Sequence, residues 1–281
     1  MTAGMDSTID VADAALHAGA IEDAGPLGLW SPPGDACALY ADNAANLLAA
    51  AACGGVATIV QGDFSSAFDA LLADVSRRRF GVDALHGMWG AYAAQLASAS
   101  TAQLRVYARV GDPAVVAAPE DLAVLVPPDA YTSAALYCDV YPLALDYPDT
   151  LSQALVQDGY AATHVLLSLM WLSDNGCVDP TDAAFHESVL AGVAGLIDSD
   201  LSSITDLEVE AATFLAYSGE RERIVPGFTE ALLAAQRIDG GWPADPSALD
   251  SNGHTTGLAV WYLHELLFPG RSETMVTKKP R

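Results

Sequence analysis

Turn-forming clusters interrupt this chain at short intervals, and they limit the folds open to it. They include Ser31-Pro-Pro-Gly34, Gly111-Asp-Pro113, Val126-Pro-Pro128 and Asp174-Asn-Gly176. Ser199-Asp200, Tyr217-Ser-Gly219 and Asp239-Gly-Gly241 follow. Between the clusters apolar residues mostly recur at spacings of three and four, the helical period. Ala and Leu dominate and β-branched runs are short, so the pattern predicts an all-α fold. Helices are expected over 7–18, 35–53, 64–79, 83–99, 102–110, 119–126, 130–142, 149–157, 160–173, 181–198, 203–217, 226–237 and 254–268. Short loops between short helices force antiparallel neighbours. Antiparallel hairpins arranged as an α/α toroid are the favoured architecture, with an open α-solenoid or a helical bundle as alternatives. A length of 281 residues and a 52% hydrophobic content suit one large domain, expected over 1–270, with a disordered tail over 271–281.

The net charge of −24 disfavours a nucleic-acid partner and an anionic membrane surface. Lysine occurs only at Lys278 and Lys279, a pattern of codon bias rather than function. The longest apolar run, Ala44 to Val60, falls short of the ~20 residues of a membrane span. It reads as a core helix stopping at Gly54-Gly55. Met1 to Ala20 lacks the basic start of a signal peptide. The four cysteines, Cys37, Cys53, Cys138 and Cys177, form no CxxC pair. They are expected to be reduced thiols in a cytoplasmic protein.

An internal echo supports repeating helix pairs. Gln157-Asp-Gly-Tyr160 leads into a helix with Thr163-His164 and Trp171. Gln236-Arg-Ile-Asp-Gly-Gly-Trp242 leads, after a loop, into one with His254-Thr255 and Trp261. The two glutamines are 79 residues apart, two units of about 40.

The stretch Gln236 to Trp242 resembles the Q-x-x-D-G-G-W/F turn of the terpenoid-cyclase and protein-prenyltransferase superfamily, which joins an outer to an inner helix of an α/α toroid. Glycines permit the tight turn, the aromatic plugs the gap between helices, and Gln can bond a neighbouring helix end. Asp250-Ser-Asn-Gly-His254-Thr resembles the D-x-x-x-H-T start of a prenyltransferase inner helix, whose His is a zinc ligand. The resemblance covers about the last 130 residues. The chain lacks the cyclase Asp-x-Asp-Asp, the Asp-Asp-x-x-Asp diphosphate motif and the prenyltransferase Asp-x-Cys. Asp174-Asn-Gly-Cys177 is nearest to the last and one residue too long. Thr163-His164 and Ser173-Asp174-x-Gly176 also resemble an uncharacterised family of bacterial helical proteins, which implies no function.

Alternating helix directions place the starts of the helices at 160, 203 and 254 at one end. His164 and His254 then converge with carboxylates of Thr205-Asp206-Leu-Glu208-Val-Glu210. Two imidazoles and a carboxylate are the donors of a zinc site or a two-His-one-carboxylate iron site. His164, His254 and Glu210 are the expected ligands of a divalent transition metal, with Glu210 or Asp206 as catalytic carboxylate. Asp174, ten residues from His164 and ~15 Å away along a helix, belongs to a turn or cap instead. Tyr160, Trp171 and Trp261 are candidates to line a substrate cavity, against ordinary core packing. Trp242 is expected to wedge between helices. His17, His86, His186 and His264 read as structural. The resulting expectation is a metal-dependent enzyme acting on a small organic, natural-product-like substrate. The alternatives are a metal-free terpenoid-type cyclase or isomerase and a non-catalytic scaffold. Oligomeric state is left open.

Overall fold

The structure is a computed structural model that describes Leu48 and residues 51–55, 101–111 and 114–267. The helices expected over 7–18, 64–79 and 83–99, most of 35–53, the tail, Cys37, His17 and His86 lie outside the described residues. Within them the chain forms α1 (Ala102–Gly111), α2 (Pro119–Ala123), α3 (Asp129–Leu136), α4 (Tyr147–Ala154) and α5 (Gly159–Asn175). It continues through α6 (Ala183–Ala194), α7 (Asp206–Ser218), a 3-10 turn at Arg221–Arg223, α8 (Phe228–Ala235) and α9 (Gly253–Leu267). Residues 51–55 are helical as well, up to the expected glycine pair. Among the described residues the one β-bridge joins Trp242 to Asn252. The all-α expectation holds.

Local signals fix the helix ends. Asp158 caps α5 by accepting from Ala161 N at 2.8 Å, and Gly176 closes it in the left-handed region at φ 69°. Asp182 caps α6 by accepting from Phe185 N. Thr205 and Glu208 form a capping box at the start of α7, which Gly219 ends at φ 88°. α3 stops at Leu136, short of the expected 142, because the residues beyond it are anchored elsewhere. Tyr137 donates to Val106 O, Tyr141 donates to Ala117 O, and Cys138 is bonded to Cys177.

Burial sorts the helices into two layers. Residues 161–172 of α5 and 254–265 of α9 are buried without a break, as is nearly all of α7. Helices buried all round belong to the interior. α6 buries only Val189 and Val193, and α8 only Phe228 and Leu232, each a single stripe. Side-chain contacts give the directions. Tyr131 donates to Ala161 O near the starts of α3 and α5, and Asn175 donates to Ala135 O and Leu136 O at their ends. Tyr160 meets Asp206 at the starts of α5 and α7, and Tyr217 meets Asp174 at their ends. Asp206 meets His254 at the starts of α7 and α9, and Tyr217 packs on Trp261 further along. So α3, α5, α7 and α9 run parallel, side by side, while α8 returns antiparallel along α9, with Phe228 on Tyr262 and Leu232 near Trp242.

The Gln236–Trp242 turn is a structural joint. Gln236 donates to Ala51 O at 2.9 Å and to Gly240 O at 2.7 Å, so it ties the turn to the helical segment ahead of Gly54. Gly240 adopts φ 92°, and a Cβ there would lie 2.4 Å from Gly54 O. Trp242 is fully buried. Its indole donates to Leu232 O at 2.7 Å, and its backbone N–H donates to Thr256 Oγ1. The indole lies between the end of α8, the start of α9 and Gly55, as the wedge expectation required.

The cysteine expectation is overturned. Cys138 and Cys177 form a disulfide across 39 residues, joining the chain just past α3 to the chain just past α5, and Cys53 is disulfide-bonded as well. Alternating helices of unequal length gave no spacing signal that these thiols would meet. Cys177 is therefore no partner for Asp174 in a zinc pair. No helix among the described residues is long and apolar enough to cross a membrane.

Candidate metal centre

Helix periodicity aims the functional side chains. Asp206 and Glu210 are four residues apart on α7 and share one face. Tyr160 and His164 bear the same relation on α5. Because the helix starts are level, these faces meet the first turn of α9, which carries His254 and Thr255. Asp206, Glu210 and His254 are all buried, and one potential ligand atom from each lies within 4.8 Å of the others.

Each group is held by a neighbour. His254 Nδ1 lies 3.0 Å from Asp206 Oδ1 and 3.2 Å from Oδ2. Thr255 Oγ1 donates to Asp206 Oδ1, and Tyr160 donates to Asp206 Oδ2 at 3.1 Å. Thr163 Oγ1 donates to Glu210 Oε1. His254 Nε2 faces Glu210 Oε2 at 3.7 Å, longer than a hydrogen bond. Burial pushes the Asp206 carboxyl upward. The adjacent His254 charge and the bonds from His254, Thr255 and Tyr160 outweigh it, so Asp206 titrates below its usual value.

The expected site residues thus find different places. Glu210, Asp206 and His254 come together. His164 stands at the other oxygen of Glu210, its Nδ1 3.7 Å from Oε1. It is not in the compact group, and its Nδ1 bonds its own helix at Tyr160 O, 2.8 Å away. Tyr160 belongs to the cluster through its hydroxyl. Trp171 and Trp261 lie about 16 Å and 10 Å along their helices from Tyr160 and His254. Both are buried: Trp171 packs against Tyr107, and Trp261 packs against Phe214 and Tyr217. Their setting is that of core residues. Glu208 accepts from Thr205 and from Asp198 N and serves the helix cap. Asp174 accepts from Tyr217 at the far end of α5, as the ten-residue separation requires.

Sequence reasoning passed over Thr163 and Thr255, although the signal was present. In the echo each histidine has a threonine neighbour, and each threonine holds one carboxylate of α7. The rest of the echo is not structural equivalence. Asp158 caps a helix, whereas Asp239 accepts from Gly241 N and Ser251 inside a turn. Gln157 is exposed, whereas Gln236 is tied to Ala51.

Chemically the cluster offers one imidazole and two carboxylates in a dry setting. Such a donor set can hold a divalent cation or pass a proton. In comparisons with family models, curated proteins and solved structures, nothing matches this chain.

Proposed function

We propose that this chain is a metal-dependent enzyme acting on a small organic, natural-product-like substrate, with a divalent transition metal, zinc or iron, at the Asp206–Glu210–His254 group. The carrying observation is that three ligand-type side chains from two helices converge while buried. Burying two carboxylates beside an imidazole is costly unless hydrogen bonds or a cation compensate. A metal would act there as a Lewis acid or activate a bound water. The parallel inner helices and the Gln236–Trp242 joint support reading the architecture as an α/α toroid, with the substrate entering at the end where the inner helices start. The Cys138–Cys177 bond favours an oxidising compartment over the cytoplasm.

Metal analysis after metal-replete expression tests the proposal. The wild-type chain should carry close to one equivalent, and His254→Ala should carry none with helix content unchanged. Less than about 0.2 equivalent in the wild type would refute it. A metal-free proton-transfer centre is the second reading, favoured by an Asp206–His254 pair that is complete without an ion. It predicts chelator-resistant activity.

A further inference from the structure

The three residues of the compact group are not equivalent, because the two carboxylates face different nitrogens of His254. Asp206 is already engaged at both oxygens. Oδ1 takes His254 Nδ1 and Thr255 Oγ1, and Oδ2 takes Tyr160 and the longer contact from His254. Three side-chain donors take up most of the roughly four lone-pair sites of this carboxylate, and it lies on His254 Nδ1, whereas Glu210 lies on Nε2. Its contact with His254 also decides which imidazole nitrogen is offered. With Nδ1–H donated to Asp206, Nε2 carries the lone pair, and Nε2 points at Glu210 Oε2, 3.7 Å away. Two donors bonded at about 2.0–2.2 Å to one tetrahedral ion stand somewhat over 3 Å apart, so a small closure brings both into one sphere. Glu210 is oriented by Thr163 at its other oxygen, Oε1.

We infer that Asp206 is a positioning residue outside the coordination sphere, and that the ion is held directly by His254 Nε2 and Glu210. The ligand is a divalent first-row cation whose remaining positions water or substrate would complete. Tyr160 and Thr255 act one step further out, fixing Asp206. This rests on the metal reading above and divides the roles within it. Outer carboxylates of this kind hold the ligating tautomer, and their loss typically weakens metal binding 10–100-fold without abolishing it.

Titration of the full chain with Co²⁺ tests the division, since cobalt's visible absorption reports the inner sphere. Asp206→Asn should bind Co²⁺ about 10–100-fold more weakly and give the wild-type spectrum at saturation. Glu210→Gln should change the spectrum or bind no cobalt, and His254→Gln likewise, with circular dichroism confirming that each variant is folded. Tyr160→Phe should weaken binding less than Asp206→Asn. An altered saturated spectrum in Asp206→Asn, or no binding by that folded variant, overturns the inference by making Asp206 a ligand. A wild-type chain that takes up no Co²⁺ overturns the metal reading itself.

Discussion

Replacing both Cys138 and Cys177 by serine removes a cross-link whose worth follows from its span. The bond closes a loop of 39 residues. In the chain-entropy treatment such a loop withholds about 13 cal/mol/K from the unfolded chain, about 4 kcal/mol at 25 °C. A chain of 281 residues unfolds with an entropy of about 0.6 kcal/mol/K near its midpoint, so the melting temperature should fall by about 7 °C. The folded state should change little. Asn175 still donates to Ala135 O and Leu136 O, and Tyr131 still donates to Ala161 O, so α3 and α5 stay paired. The assay is thermal and urea unfolding followed by circular dichroism, with the oxidised wild type as reference. The variant should keep the wild-type far-UV spectrum, melt lower and show a larger denaturant slope from its more expanded unfolded state. An unchanged melting temperature would refute the reasoning. So would prompt reaction of Cys138 and Cys177 with a thiol reagent in the native, untreated protein.

Other perturbations test other links. Trp242→Ala should cost about 3–5 kcal/mol, because it empties a fully buried site and strands Leu232 O, while the surviving folded fraction should bind added metal as the wild type does; loss of metal binding at an unchanged melting temperature would contradict this. Gly240→Ala should destabilise by more than about 1 kcal/mol, since φ is 92° and the new methyl would strike Gly54 O; thermal unfolding reads it. Burial holds His264 at about 3, below its usual 6.5, so the folded state binds fewer protons than the unfolded one between those values. Stability should therefore fall as pH drops through that window, by up to about 1.4 kcal/mol per pH unit, and His264→Leu should flatten this slope in urea titrations.

Much of the described architecture was legible because it is written locally. The Asp158 cap, the Thr205–Glu208 box and the Gly176 and Gly219 stops are short-range signals, and they place α5 and α7 within a few residues of expectation. Alternating helix direction was enough to bring Asp206 to His254, 48 positions away, whereas the bond from Tyr160 to Asp206 was not foreseen. The Gln236–Trp242 joint was legible as a motif, but its receptor, Gly54 with Ala51, was not, because only the fold brings 51–55 against 236–242. The disulfide was missed for the same reason. The ranking of Asp206 against Glu210 was also out of reach, since both carboxylates lie on one helix face. Hydrogen bonds from Tyr160, Thr255 and Thr163 distinguish them, and those depend on side-chain packing between helices.

The most direct test of the central claim is the anomalous scattering of a crystal grown from the full chain with zinc or iron present. A single strong peak should lie about 2.0–2.2 Å from His254 Nε2 and from a Glu210 carboxylate oxygen, with Asp206 still bonded to His254 Nδ1. An ordered cluster with no peak, in crystals whose solution holds the metal in excess, would contradict the account.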